Sequence, residues 1–146
     1  TYGMANSELA TGVMLGTKIT LVITDNRGYG CISRLQHATG SERFNNLFDY
    51  NTLDGANHSV DFVKHAESMG AVAEKVTSLA DLEAALKRAR KSSKTTAIVI
   101  DTDPMPSTDA GGYWWDVGVP EVSSRKQVVA ARKDWKKRGK LQRIGS

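Results

Sequence analysis

The six residues Asp25-Asn26-Arg27-Gly28-Tyr29-Gly30 combine the types and spacing best suited to cation chemistry. Asn26 offers a neutral amide oxygen, and the glycines let backbone carbonyls come close to a ligand. A magnesium ion takes oxygen ligands in a near-octahedral array and commonly completes it with phosphate oxygens. The Asn26 side chain and the Gly28 carbonyl would supply two of those positions. The same residues also make an ordinary turn, since Asn and Gly are frequent turn formers. Gly28-Tyr29-Gly30 alone is too short a pattern to specify a nucleotide. Spacing by itself leaves both readings open.

The remaining reactive side chains are scattered. His37, His58 and His65 have no metal-like spacing and read as surface or structural residues. His37 is the candidate substrate contact if its segment closes over the site. Cys31 lies beside the loop, but thiolate chemistry needs an activating neighbour, and none is visible. It therefore reads as a small buried side chain. Trp114 and Trp115 either line a sugar-like substrate or anchor a tail or subunit contact.

The elements around the loop alternate between strand and helix. Lys18 to Asp25 is rich in β-branched residues and reads as a buried strand that delivers Asn26 into the loop. Asn6 to Leu15 reads as a short helix behind a cap-like Asn6-Ser7. Gly30 to Asn57 shows no clear period and reads as a long loop, of a kind that usually covers a site. Asp61 to Met69 is expected to be helical and to stop at Gly70. Ala71 to Val76 is a short strand. Ser78 with Asp81 forms a capping-box pattern ahead of a helix whose apolar stripe is Leu79, Leu82, Leu86 and Ala89. Lys87, Arg88, Arg90 and Lys91 load its C-terminal end, where positive charge suits the helix dipole. Thr96 to Asp101 is an apolar strand closed by Pro104 and Pro106. Ser124 to Lys137 reads as one basic helix anchored by Val128, Val129 and Trp135. This order predicts an α/β fold, a three-layer parallel sheet with helices on both faces. Three strands make a small parallel sheet, so the fold is expected to be incomplete in this fragment, with the remainder upstream. An open edge of that kind should make isolated pieces associate or be marginally stable.

Composition narrows the class. The chain has 146 residues, 40% of them hydrophobic, enough for one domain with a sizeable core. A single cysteine excludes an internal disulfide and favours a reducing compartment, the cytoplasm. No apolar run is long enough to span a bilayer, and no leader pattern opens the chain. The first residue is Thr1, as in a processed protein or a fragment. Charge is uneven: residues 125–146 hold nine Lys/Arg and one acid, against eleven basic and fifteen acidic residues before them.

The segment TLVITDNRGYGCI resembles the second half of the cofactor motif of thiamine-diphosphate enzymes. In that family a Gly-Asp-Gly triplet is followed downstream by an Asn-Asn or Asp-Asn pair after an apolar strand. Here 24 residues precede Asp25, a spacing that would put the triplet immediately before Thr1. Three further stretches resemble one branch of the family, which hydrolyses a carbon–carbon bond of a cyclic 1,2-dione in inositol breakdown. They are Tyr2 to Glu8, Gly40 to Phe44, and Trp114 to Val117 together with Pro120 to Ser123. The resemblance covers most of residues 1–124.

It implies thiamine diphosphate and Mg2+ as cofactors and a cyclic dione as small-molecule substrate. Asn26 would ligate the metal through its side chain and Gly28 through its carbonyl. Thr1 would lie near the diphosphate. Residues 1–106 would be part of the cofactor-binding domain, starting just after the triplet. Residues 107–146 would be an irregular aromatic segment and a basic C-terminal helix. Ile32 occupies the position, six after the Asn, that holds a catalytic Glu in related decarboxylases. The Asp metal ligand and the Glu that activates the aminopyrimidine fall outside this chain, the latter in the family on a separate domain across a subunit interface. No catalytic residue is therefore expected here, and the fragment alone should be inactive. Its expected partners are the rest of its own polypeptide and further copies in a homo-oligomer, with no membrane.

Two alternatives accompany this reading. An acetolactate-synthase-like carboligase would share the motif and differ in substrate. The basic tail could instead bind nucleic-acid phosphates. Against that, Trp135 is its one aromatic residue, no recognition fold accompanies the charge, and a solvated helix explains it as well.

Overall fold

The computed structural model describes residues 2–42, 44–50, 59–106 and 118–141. Thr1, His58, Trp114 and Trp115 lie outside them. The chain divides into two compact units, Thr1–Asn26 with His58–Thr102, and Arg27–Asn57 with Asp103–Ser146.

The first unit is a parallel sheet between helices. Its strands are β1 (Thr20–Asp25), β2 (Val72–Val76) and β3 (Thr96–Asp101), in the order β1-β3-β2. Ile23 is in register with Val99 and Val76 with Ile100. β3 is central, so alternate side chains feed two cores. Ala97 and Val99 face Leu9, Ile23, Ala66 and Ala71 on one side, and Ile98 faces Val76, Ala85 and Ala89 on the other. The first core belongs to helices α2 (Ser7–Met14) and α4 (Phe62–Ser68), the second to α5 (Leu79–Lys91). The expected three-layer α/β architecture with helices on both faces is what the chain forms.

Local chemistry explains the helix ends. The Asp61 carboxylate accepts from Lys64 N–H at 3.0 Å and starts α4. That bond, and then the Lys64 ammonium, hold the carboxyl below the usual carboxylate range. Gly70, at φ 88°, ends the segment with a left-handed residue. The Ser78 hydroxyl accepts from Asp81 N–H at 3.1 Å and donates to the Asp81 carboxylate at 2.7 Å. Removing it with Ser78→Ala is expected to lower the opening free energy of the α5 amides by about 1 kcal/mol, as read by hydrogen exchange.

Three residues of this unit depart from expectation. Asn6 does not cap α2. Its backbone is helical (φ −66°, ψ −27°) and its side chain makes no cap bond, because a further turn, α1 (Tyr2–Ala5), precedes it. The buried stripe of α5 is Leu82, Ala85 and Ala89, whereas Leu79 is 78% exposed and Leu86 exposed. Small alanines let the helix lie close to the sheet, and the larger leucines sit at its margin.

The second unit differs more from expectation. Within the stretch read as a loop from Gly30 to Asn57, Gly30–Ala38 forms helix α3 and Phe48–Tyr50 a turn of 3-10 helix. α3 hid from periodicity because its buried positions are Gly30 and Ser33, while Ile32 and Leu35 are exposed. The basic helix is α6 (Lys126–Gly139). Val128 anchors it, and Trp135 is half-buried beneath the Arg132 guanidinium, 4.7 Å from the ring centroid. Val129 is exposed rather than an anchor, since one residue of helix turns it about 100° from Val128. Gly40, at φ 76°, packs so closely that a Cβ there would lie 2.5 Å from the Gln127 carbonyl.

Candidate functional site

In open parallel sheets, ligands gather beyond the carboxyl ends of the strands. β1 ends there at Asp25, beside Asp101 of β3, and Thr102 N–H donates to the Asp25 carbonyl at 2.8 Å. Asn26 follows directly, half-buried, as the last residue of its unit. Ile23 in the core fixes the strand that delivers it.

The next residues open the second unit and are held by pairing rather than by helix or sheet. Gly28 forms an isolated antiparallel bridge with Leu47, which is 2% exposed. Tyr29 N–H donates to the Asn46 carbonyl at 2.6 Å, and Phe48 N–H donates to the Arg27 carbonyl at 2.9 Å. Those two bonds flank Gly28. Arg27 adopts φ 61°, a left-handed conformation that costs a side-chain-bearing residue about 1 kcal/mol. Its guanidinium donates twice to the Asp49 carboxylate, at 2.9 and 2.6 Å. Gly28 itself sits at φ 148°, and a Cβ there would lie 2.3 Å from the Asn46 carbonyl oxygen. Only glycine fits.

The chemistry of the donors suits a hard cation. An amide oxygen and a peptide carbonyl are neutral oxygen ligands of the kind Mg2+ accepts alongside phosphate. Among the described residues no group of three or more His, Cys, Asp or Glu could hold a metal.

Other candidates fall elsewhere. Cys31 is exposed, which corrects the expectation of a buried side chain: Gly30 and Ser33 take the inward face of α3 and turn it outward. Ile32 is also exposed on that face. His37, in the last turn of α3, lines a cleft of about 430 Å³ with Ser41, Glu42, Arg125 and Gln127. Arg125 donates to the Glu42 carboxylate across it. His65 is half-buried and bonded to the Tyr2 hydroxyl. Sequence reasoning missed the Tyr2–His65 and Arg27–Asp49 pairs, because partners 63 and 22 residues apart leave no local pattern.

A family model described as the thiamine pyrophosphate enzyme, C-terminal TPP binding domain, matches residues 1–101. The chain belongs to the thiamine pyrophosphate enzymes. Its cofactor is accordingly thiamine diphosphate (the same molecule), and Mg2+ is the family's usual partner metal. The chain is 39% identical over 132 residues to a 3D-(3,5/4)-trihydroxycyclohexane-1,2-dione hydrolase of Listeria monocytogenes, with 89% of this chain and 20% of that protein covered. It is 40% identical over 137 residues to a protein of the same name from Bacillus cereus, with 89% and 21% covered. The chain thus spans about a fifth of the length of these curated relatives. No helix among the described residues is long and apolar enough to cross a membrane.

Proposed function

We propose that this chain is the C-terminal, diphosphate-binding part of a thiamine-diphosphate- and Mg2+-dependent hydrolase that opens the ring of trihydroxycyclohexane-1,2-dione to a deoxy-uronic acid in inositol catabolism. The observation that carries the reading is the 39% identity extending over 89% of the chain to proteins of that name. The full polypeptide is proposed to work in the cytoplasm as a homo-oligomer, with residues 1–106 belonging to the cofactor domain.

In this reading Asn26 and Gly28 hold the metal through their oxygens, and Thr1 borders the diphosphate. When bound, thiamine diphosphate supplies a nucleophilic carbon that the protein's own side chains lack. The chain's part is placement. The bridge to Leu47 and the Arg27–Asp49 pair keep the loop after β1 in one conformation. Both contacts are made within the chain itself, which reduces what binding must supply. Ile32 presents no acid six residues after Asn26, so the glutamate proton transfer of related decarboxylases has no counterpart at that position.

The test is turnover by the full-length protein with thiamine diphosphate and Mg2+. Consumption of the cyclic dione with release of an open-chain deoxy-uronic acid is expected. Formation of acetolactate from pyruvate, with the dione untouched, would contradict the proposal.

A further inference from the structure

Helix α1 has four residues and none of them is buried, with Met4 77% exposed. It runs through the helical Asn6 directly into α2, and four residues add little stability of their own, so its N-terminal end depends on side-chain contacts. Tyr2 supplies them. Its ring packs edge-on against Phe62 and against His65, each 5.6 Å between centroids, and it joins the partly buried residues around Leu9, Ile23 and Ala66. Its hydroxyl lies 2.9 Å from His65 Nδ1. Burial raises the phenol pKa, so the hydroxyl stays protonated and pairs with the imidazole Nδ1. His65 is itself well placed to hold a partner, since α4 packs on β2 and β3 and contributes the fully buried Ala66 to the core.

We infer that Tyr2 and His65 act as a positioning pair, in which His65 on α4 fixes Tyr2 and thereby fixes the backbone next to Thr1 at the border of the diphosphate. The inference rests on the functional reading above, in which Thr1 adjoins that group. The pair joins two segments 63 residues apart, within one unit. Loosening it frees α1 while the sheet and both cores stay intact. Its consequence is therefore weaker cofactor binding rather than a changed chemical step.

The experiment uses the full-length protein and the variants Tyr2→Phe, His65→Ala and His65→Asn. Tyr2→Phe keeps the ring contacts and removes one hydrogen bond. The Asn oxygen of His65→Asn can still accept from the Tyr2 hydroxyl. Tyr2→Phe and His65→Ala are expected to speed amide exchange over residues 4–9 about fivefold, and to raise the thiamine diphosphate Kd by a similar factor. Turnover at saturating cofactor stays unchanged, the double variant is no worse than either single one, and His65→Asn recovers wild-type affinity. Unchanged exchange in Tyr2→Phe, or faster exchange without weaker cofactor binding, would overturn this inference alone. Wild-type protein that binds no thiamine diphosphate would overturn the functional reading and this inference with it.

Discussion

Gly28→Ala is expected to cost about 3 kcal/mol of local stability and to abolish Mg2+-dependent cofactor binding. Two effects combine at this residue. Its φ of 148° lies where L side chains rarely go, and the added Cβ would meet the Asn46 carbonyl oxygen at 2.3 Å and the Leu47 α-carbon at 2.9 Å. Both obstacles are backbone atoms, so no side-chain rotation relieves them. The bridge must open, releasing the hydrogen bonds of Tyr29 and Phe48. Faster exchange at those two amides is the direct readout. Gly139→Ala is the control, because nothing lies within 4 Å of a Cβ at Gly139 and alanine suits a helix. Equal effects of the two substitutions would show that the geometry at Gly28 is not what constrains the loop.

The second large effect is expected from Ile98→Ala. Ile98 is fully buried in the central strand, against Val76, Ala85 and Ala89. Deleting a buried aliphatic side chain costs about 2–5 kcal/mol, depending on how well the surroundings collapse into the space. Here two of the three buried residues around it are alanines, whose side chains have no rotamer that could fill the cavity, so any filling is left to the partly buried Leu82 and Ile100. The upper part of that range, about 4 kcal/mol, is expected in denaturant unfolding. Val22→Ala on β1 removes a similar side chain that is 38% exposed and should cost less than about 1 kcal/mol. A loss below that level at Ile98 would mean that the α5 layer contributes little to the fold.

The parts of the fold that the sequence reveals are those governed by neighbours along the chain. β3 is buried on both faces and therefore reads as an unbroken apolar run. Ser78 and Asp81 meet within one helical turn, so their cap is visible as a short pattern. α3 is invisible for the opposite reason. It buries a glycine and a serine and exposes isoleucine and leucine, which inverts the expected pattern. In α5 the buried positions go to alanines, because close approach to the sheet matters there more than side-chain size.

The candidate site divides in the same way. Asn26 and Gly28 stand out as residue types after a strand, and the family match adds the cofactor. What keeps their loop in place does not stand out. Asn46 and Leu47 hold Arg27 to Tyr29 from about twenty residues away through backbone pairing, and Asp49 does so through an ion pair with no local pattern to announce it. Residue identity carries little information about such pairing.

The central claim is that the turn after β1 holds the metal–diphosphate end of the cofactor. The most direct test is calorimetric titration of thiamine diphosphate into the full-length protein, with and without Mg2+, for wild type and Asn26→Ala. The account predicts binding that requires Mg2+ and an affinity at least about tenfold weaker in the variant. Binding indifferent to Mg2+, or equal affinities in the two proteins, would contradict it.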